Sequence, residues 1–446
     1  MRNQENSTFS PLISADIPLY MQVYTYYKDL ITDGKLSPNT KLPSVRRCAE
    51  TFSVSRTTAE AAYFQLCADG YVLAKPKSGY YVTDLYFHKP QKKAAPTKDD
   101  TDAVRYDFAS LSADRDSFDF GLWRRYLKSA LRQDERLLSY GAVQGESDLR
   151  EAVAQYISQK RNVVCTAENI VIGAGVQSLL HILCAMLKTG SICFQDKSFI
   201  EGQAIFRDHG FRIVENKADA QLLYVSPSHM NRWGDVMPAN ARVALLKDAA
   251  ARGTLLIEDD YDNEFGYFEK PTPALQGLDG GHNVVYLGTF SKLLLPSIRL
   301  SFMVLPDRLL QRYREIAPQY NQTASKAEQI ALCQFIRDGH LASQIRKVRR
   351  LYAQKAFLLE QAVQTVFGDA VQTHLGDTGF VVKVTLQSDK TPAEIQARAK
   401  SAGILLRTAD GQNGTVFLLL SCSGLHAEEF HAALCELRAV CGPETA

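Results

Sequence analysis

The sequence of 446 residues lacks the features of a membrane, secreted or strongly basic protein. Its N-terminus has no apolar signal-peptide core, and no later run reaches about 18 apolar residues, so we expect a soluble, cytoplasmic protein. The nine cysteines are scattered without a C-x-x-C pair, which is typical of reduced, mostly buried thiols. The formal net charge of +2 excludes a general attraction to nucleic acid, so any DNA contact depends on a local patch.

A sharp change of composition divides the chain. Residues 84–105 consist largely of Lys, Pro, Ala, Thr and Asp and offer little for a core to bury, which is typical of a linker. We therefore predict a tail over residues 1–15, a small domain over 16–83 and a large domain over 106–446. Two or three domains are expected at this length.

The small domain has the pattern of three helices followed by a β-hairpin. A helix start is expected at Asp16-Ile17-Pro18, Ser44 can cap a second helix, and a third helix follows Ser55 and ends at Gly70. This order predicts a winged helix-turn-helix, whose third helix can enter the major groove of DNA. The same pattern also fits a small interaction domain whose basic side chains are merely solvated.

Several motifs of this domain together resemble the DNA-binding domains of the GntR family of bacterial repressors: LPS-x-R, S-R-T-T and the G-x-Y-V of the hairpin. The resemblance implies binding to double-stranded operator DNA. It assigns the contacts by position to Arg46, Arg56, Thr57, Thr58 and Gly79, and Lys77 on the hairpin tip is suited to a backbone contact. At Glu60 relatives often carry a basic residue, which predicts one phosphate contact fewer.

From Asp107 onward, helical patterns alternate with short apolar runs, which predicts an α/β domain with a largely parallel sheet. Three polar or glycine-rich stretches follow apolar runs, at residues 173–175, 258–261 and 289–292. Ligands of such sheets gather at the carboxyl ends of the strands. These three stretches are therefore expected to meet at one ligand site.

The stretch GTFSK ends in Lys292, whose amine either binds a phosphate or reacts as a nucleophile. GTFSK lacks the spacing of a Walker loop, and the GAG at 173–175 lacks the dinucleotide fingerprint. A cofactor with an aldehyde, a phosphate and a pyridine ring needs a nucleophilic lysine, anion-binding groups, an acid and an aromatic face. This domain offers candidates for all four, the acid being Asp259 or Asp260. Each candidate alone also has an ordinary structural explanation.

Five segments of this domain resemble fold-type I aminotransferases, which depend on pyridoxal 5′-phosphate (PLP): LLSYGAVQGESDLREAVAQYI, VIGAGVQSLL, YVSPSH, LLIEDDYDNEF and VVYLGTFSKLLLPSIRL. With the GntR-like domain before it, the whole chain resembles a MocR-type transcriptional regulator. This resemblance covers about residues 16–440. It implies PLP as the cofactor and a homodimer, because in this fold the site lies at a dimer interface. No metal site is predicted.

The resemblance also assigns each part of the PLP site to a position. Lys292 would form the internal aldimine, Asp259 would bind the pyridine nitrogen, and Phe199 would stack on the ring. The phenolic oxygen would contact Tyr261 and Asn231. The phosphate would be held by Thr289, Ser291, Arg299, Gly175, Val176 and Gln177, with Tyr140 reaching the phosphate of the neighbouring subunit.

Three stretches depart from the aminotransferase pattern. QDKSF changes the loop beside the ring, and Arg232-Trp233 replace a Pro-Thr pair of the relatives. FLLLSCSGL is apolar where many relatives carry an arginine that binds the α-carboxylate of an amino acid, and Leu419 takes that position. Arg407 and Arg232 are candidates to replace it, but the sequence does not place them.

We therefore predict a DNA-binding transcriptional regulator whose PLP-binding domain senses an amine, an amino acid or PLP itself. One alternative is an active PLP-dependent aminotransferase with a vestigial DNA-binding head. A second alternative is a DNA-binding protein whose large domain only dimerises. The effector, the operator and the direction of regulation cannot be read from the residues.

Overall fold

The computed structural model describes residues 17–84, 104–110, 112–261, 263–266, 272–378, 381–412 and 414–442. Its internal contacts divide the chain into two compact units, Met1–Thr101 and Asp102–Ala446. The predicted tail lies outside the described residues, as does most of the predicted linker, from residue 85 to residue 103. Within the described part of the chain, no helix is long and apolar enough to cross a membrane.

The first unit has the predicted three helices and hairpin. Ser44 and Ser55 cap the second and third helices, because their hydroxyls accept the N–H groups of Arg47 and Thr58. The core between the helices is rich in aromatic rings, with Tyr27 in edge contact with both Phe52 and Tyr63. The winged helix-turn-helix order is confirmed, with α1 (Leu19–Thr32), α2 (Val45–Phe52), α3 (Arg56–Ala68), β1 (Val72–Lys75) and β2 (Gly79–Val82).

The second unit is an α/β structure, as predicted, and it contains two main sheets. Its strands are β3 (Tyr106–Asp107), β4 (Ile170–Gly173), β5 (Ser191–Phe194), β6 (Arg212–Ile213), β7 (Leu222–Val225), β8 (Leu255–Asp259), β9 (Val284–Thr289), β10 (Ser301–Val304), β11 (Val371–Leu375), β12 (Val381–Gln387), β13 (Ile404–Leu405), β14 (Arg407–Asp410) and β15 (Thr415–Ser421).

Helices flank these sheets and share the core with the strands and loops. They are α4 (Phe120–Ala130), α5 (Asp134–Leu137), α6 (Ser147–Arg161), α7 (Val176–Leu187), α8 (Ile200–Asp208), α9 (Ala239–Arg252), α10 (Leu275–Leu278), α11 (Asp307–Ile316), α12 (Lys326–Arg337), α13 (His340–Phe367), α14 (Pro392–Ser401) and α15 (Phe430–Cys441).

The large sheet has seven strands in the order β4-β10-β9-β8-β7-β5-β6. Only β10 runs antiparallel to its neighbours, so the sheet is largely parallel as predicted. Successive residues of a strand enter different cores: Phe302 packs into one core and Met303 into another. Burial on both faces explains why the sequence shows these strands as continuous apolar runs.

A smaller antiparallel sheet has the order β11-β12-β15-β14. Its strand β15 contains most of the apolar stretch FLLLSCSGL. Beside it, the short strand β3, directly after the predicted linker, pairs in parallel with β13. The N–H of Phe108 continues this ladder to the carbonyl of Leu405 over 2.9 Å. The second sheet is absent from the sequence prediction.

Candidate cofactor site and DNA-binding surface

The carboxyl edge of the large sheet brings the three predicted stretches together. Ser301, the first residue of β10, pairs with Thr289 at the end of β9 and with Gly173 at the end of β4. On the next strand, Asp259 ends β8 opposite Leu287 of β9. Because β10 runs in the opposite direction, its beginning adds to an edge where its neighbours end.

A cavity of about 700 Å³ opens at this edge. Its wall includes ten of the twelve residues predicted to bind the cofactor: Gly175, Val176, Gln177, Phe199, Asp259, Tyr261, Thr289, Ser291, Lys292 and Arg299. Their place in one cavity is a geometric finding, and their roles toward a ligand stay predictions. A second cavity of about 260 Å³ shares Lys292 and Tyr261 with the first.

One end of the large cavity is suited to an anion. Helix α7 begins here without a side-chain cap from the described residues, so its first N–H groups are available to a ligand. Gly175 precedes the helix with φ of 91°, a conformation that favours glycine. A Cβ atom at Gly175 would overlap the guanidinium of Arg299, so the missing side chain lets that cation approach the helix start.

Two hydroxyl groups complete this end of the cavity. Thr289 Oγ1 accepts hydrogen bonds from the hydroxyl of Ser301, at 2.9 Å, and from the N–H of Ser291, at 3.2 Å. The hydroxyl oxygen of Ser291 is buried and finds no hydrogen-bond partner among the described residues. A buried hydroxyl without a partner is costly, and a ligand oxygen would satisfy it.

An aromatic ring lies beside the lysine that lines the cavity. The Nζ atom of Lys292 lies 4.5 Å from the ring centre of Tyr261. The ring of Tyr261 in turn lies 5.0 Å from that of His229, which lines the smaller cavity. Lys292 therefore reaches both cavities from a position just after the end of β9.

The predicted DNA-binding residues lie on the surface of the first unit. The hydroxyl of Ser55 contacts those of Thr57 and Thr58 at the start of α3. Two arginines form ion pairs one turn along their helices, Arg46 with Glu50 at 3.1 Å and Arg56 with Glu60 at 3.0 Å. At the tip of the hairpin, the positive φ values of Lys77 and Gly79, 61° and 112°, form the tight turn.

The comparisons with known proteins match both units. Residues 19–82 match the family model of bacterial regulatory proteins of the gntR family, and residues 118–435 match aminotransferase class I and II. The chain is 37% identical to the HTH-type transcriptional regulator YdeL of Bacillus subtilis, over 87% of this chain and 88% of that protein. It is 30% identical to the probable rhizopine catabolism regulatory protein MocR of Rhizobium meliloti, over 94% and 90%.

The chain belongs to the MocR-type transcriptional regulators. Its second unit has the fold of the α-aminoadipate aminotransferase LysN of Thermus thermophilus. That likeness has a TM-score of 0.65 at 22% identity and covers 76% of this chain and 92% of LysN. At 22% identity this structural likeness shows only that the MocR-type chain shares the fold.

Two predicted residues of the MocR-type chain lie outside the cavity wall. The side chain of Asn231 organises its own loop, donating to Asp235 at 2.8 Å and accepting the N–H groups of Trp233 and Gly234. Tyr140 is 99% exposed in the single chain. This exposure is compatible with the predicted contact to a neighbouring subunit, which stays a prediction.

Tyr224 is a site residue that the sequence reasoning missed. Its hydroxyl donates a 2.6 Å hydrogen bond to Oδ2 of Asp259, and its ring lies 5.4 Å from that of Phe199. Burial, and next the charge of Asp259, raise the pKa of Tyr224 well above its ordinary value, so the phenol stays a donor. The available signal was a tyrosine inside the apolar run LLYV, where a hydroxyl requires a partner.

The two arginines that the sequence could not place both line the cavities of this MocR-type regulator. Arg232 and Arg407 belong to the walls of the large and the small cavity, together with Lys292. Leu419 lines the large cavity and is almost fully buried. The position expected for a carboxylate-binding arginine is thus part of the site, with two arginines nearby.

Proposed function

We propose that this transcriptional regulator attaches PLP at Lys292, binds operator DNA through its winged helix-turn-helix, and responds to an amine, an amino acid or PLP itself. The observation that carries the proposal is the convergence of ten predicted cofactor-binding residues on one cavity. LysN, which shares the fold, was solved with N-(5′-phosphopyridoxyl)-L-leucine. We further propose a homodimer, as the resemblance to fold-type I aminotransferases implies, and a cytoplasmic location, where a transcriptional regulator meets its operator DNA.

The anion end of the cavity fits a phosphate group. It offers the N-terminus of α7, the guanidinium of Arg299 and the buried hydroxyl of Ser291, which needs a partner. The glycine at position 175 keeps this cradle open. These residues would bind the phosphate and so fix the orientation of the rest of the cofactor.

The other groups of the cavity fit the ring and the aldehyde. Asp259 would pair with the pyridine nitrogen, and the Tyr224 hydroxyl would hold the carboxylate in the required orientation. Phe199 would lie against the ring, and Tyr261 would contact the phenolic oxygen. When bound, PLP would supply an aldehyde carbon that reacts with primary amines.

Regulation would follow if PLP or an effector amine favours one arrangement of the chain over another. A ligand shifts such an equilibrium only by its difference in affinity for the two arrangements. The apolar side chain of Leu419, where many aminotransferases carry arginine, favours sensing over turnover of ordinary α-amino acids. An active aminotransferase with a vestigial head stays the second candidate.

The proposal is tested by locating the cofactor. Purified protein is incubated with PLP, reduced with borohydride, digested and examined by mass spectrometry. We expect the pyridoxyl group on Lys292 and none on Lys197, a control lysine that is 71% exposed. Lys292→Ala should abolish the attachment and the visible absorption of the bound cofactor. Attachment elsewhere, or no attachment, would refute the assignment of Lys292.

A second measurement separates regulator from enzyme. Footprinting on the DNA upstream of the protein's own gene, with and without PLP, is combined with a screen of amino donors for turnover. We expect sequence-selective protection whose affinity depends on PLP or an amine. Steady transamination without selective DNA binding would reverse the ranking of the two candidates.

A further inference from the structure

A row of three side chains crosses the small sheet beside the cofactor cavity. Leu419 of β15 lies directly opposite Arg407 of β14 on one side and Lys383 of β12 on the other. Directly opposed residues of antiparallel strands carry their side chains on the same face of the sheet. Arg407 therefore emerges beside Leu419, the position where the aminotransferase resemblance expects an arginine.

Arg407 reaches the site from this neighbouring strand. It lines both cavities, as do Arg232 and Lys292. Its Nε atom is buried and makes no hydrogen bond within the part of the chain that the structure describes. Burial, and next the nearby charge of Arg232, lower the pKa of Arg407, so an anion between the two guanidinium groups would relieve their repulsion.

Two carboxylates in the region of Arg407 accept hydrogen bonds within their own segments, while the charge of Asp107 also acts on Arg407. Asp107 Oδ1 accepts the N–H of Ala109 at 2.9 Å. Asp196, on the wall of both cavities, accepts the N–H and the hydroxyl of Ser198 at 2.8 and 2.6 Å.

The other cation of the row, Lys383, differs from Arg407. The Nζ atom of Lys383 lies 4.3 Å from the ring centre of Trp233 and 5.1 Å from that of Phe417. Lys383 therefore stacks on aromatic rings, whereas Arg407 and Arg232 face the cavities.

We propose that Arg407, assisted by Arg232, binds the acidic group of an effector that also carries a primary amine. The inference rests on the proposed function, because the amine of this effector would meet the cofactor at Lys292. A planar guanidinium binds a carboxylate or a related oxyanion through two parallel hydrogen bonds. The class of effector is thus an amino acid or similar acidic amine, whereas a plain alkylamine would leave the two cations unpaired.

The smaller cavity would hold the remainder of such a ligand. Its wall combines polar groups with the shared arginines and lysine, since Ser110, Ser112, Ser423 and His229 contribute to it. At about 260 Å³ it is just below the usual size range of small-molecule pockets. This size and lining favour a small, polar effector.

The test uses full-length protein loaded with PLP. It is titrated with the standard amino acids and β-alanine, each against the amine that lacks its carboxyl group. Binding is followed by the absorbance of the cofactor and by calorimetry. We expect at least one amino acid to bind about 10- to 100-fold more tightly than its decarboxylated counterpart, the range expected for hydrogen bonds to a charged group.

Variants then assign that preference to Arg407. Arg407→Gln should lower the affinity for the acidic amine about 10- to 100-fold and leave the affinity for the decarboxylated amine unchanged. Adding Leu419→Arg to this variant should restore binding, because it returns a guanidinium to the adjacent strand. Lys383→Gln is the matched control, since Lys383 also lies opposite Leu419 but stacks on Trp233. It should keep the preference for the acidic amine.

The outcomes separate this inference from the proposed function. Wild-type protein that holds no PLP would overturn the proposed function and the inference with it. Protein that holds PLP but binds acidic and decarboxylated amines equally, or responds to no acidic amine of the panel, would overturn the inference alone. The inference would also be overturned if Arg407→Gln lowered the affinity for both kinds of amine equally and Leu419→Arg did not restore it.

Discussion

Gly175 and Arg299 show how single residues shape the anion end of the cavity. Gly175 has φ of 91°, and its lack of a side chain leaves room for the guanidinium of Arg299. The backbone of Arg299 also has a positive φ, of 48°. Both conformations are uncommon for residues with a side chain, and such positions cluster at ligand sites. The segments VIGAGVQSLL and VVYLGTFSKLLLPSIRL identified both residues by resemblance, but only the folded chain shows that they lie close together.

We predict that Gly175→Ala weakens PLP binding by at least about tenfold. The added Cβ atom would displace the guanidinium of Arg299, and the backbone would carry about 1–3 kcal/mol of strain. Binding is measured by titrating PLP and following its absorbance. The control is Gly253→Ala, at a positive φ of 68° with open space around it. Equal PLP affinity in the two variants would contradict the prediction.

A second prediction concerns Glu60, which pairs with Arg56 at 3.0 Å. Replacing Glu60 with Gln removes a carboxylate that repels phosphate and frees the guanidinium for DNA. We expect affinity to rise about threefold or more, with the slope of log affinity against log salt steeper by about 0.9 for one added phosphate contact.

Fluorescence anisotropy over a salt series, with DNA from upstream of the gene, measures the effect of Glu60→Gln. Asp33→Asn, which removes a carboxylate at the end of α1, is the control. Affinity and salt slope equal to wild type would show that Glu60 does not oppose DNA binding.

At the scale of elements, the strands differ in how far the sequence predicts them. The runs that form β4, β8, β9 and β10 are apolar, short and bounded by turn residues, so their existence was predictable. The reversed direction of β10 was not predicted, although only residues 290–300 join it to β9. A parallel neighbour would need a longer crossover, so the short connection was the available signal.

The small sheet was missed for a different reason. Asp410-Gly411 and Asn413-Gly414, where β14 leads into β15, are hairpin turn signals that the sequence reasoning overlooked. The pairing of β15 with β12 depends instead on a partner far away in the sequence. The pairing of Leu419 with Arg407 follows from the register of this hairpin, which the sequence reasoning did not assign. The sequence shows that Leu419 replaces the arginine of the aminotransferase pattern. That Arg407 lies beside Leu419 is known only from the strand register of the structure.

Helix α6 and the turn after β8 supply a prediction about pH. Burial, and next the charge of Asp260, raise the pKa of Glu264 from its ordinary value of 4.5 to about 7, and its Oε1 accepts the hydroxyl of Tyr156 at 3.0 Å. Because the folded state holds this proton more tightly than the unfolded chain, stability falls as pH rises from about 4.5 to about 7.

Glu264→Gln should remove this part of the pH dependence. Relative to wild type, the variant should gain up to ~3 kcal/mol of unfolding free energy at pH 8 and little at pH 4.5. Urea unfolding at both pH values measures the difference. Glu436→Gln, at a partly exposed ion pair with Arg105, is the control. A gain that is equal at both pH values would contradict the assigned pKa.

At the scale of the whole molecule, the predicted homodimer decides whether each site is complete. Tyr140 is almost fully exposed in the single chain, and the nearby Leu138 is 89% exposed. Exposed apolar side chains that lie close together mark contact surfaces more often than single ones do. No local pattern of the sequence states which subunit a residue serves, so only the family resemblance predicts that Tyr140 acts on the neighbouring site.

Mixed dimers test this prediction. A dimer of one Lys292→Ala subunit and one Tyr140→Ala subunit would have one intact site if Tyr140 acts across the interface. We expect this mixed dimer, purified with two different tags, to bind one PLP with wild-type affinity. If Tyr140 acts within its own subunit, no site of the mixed dimer is intact, and affinity should match that of the Tyr140→Ala homodimer.

The pairing of β3 with β13 gives the start of the second unit an unusual position. Two residues beyond β13, the chain reaches Arg407, and a few residues beyond β3 it reaches Ser110 and Ser112 on the wall of the smaller cavity. The same few residues follow the predicted linker and line the smaller cavity. If the proposed effector binds in the smaller cavity, it would therefore contact the segment with which the second unit begins.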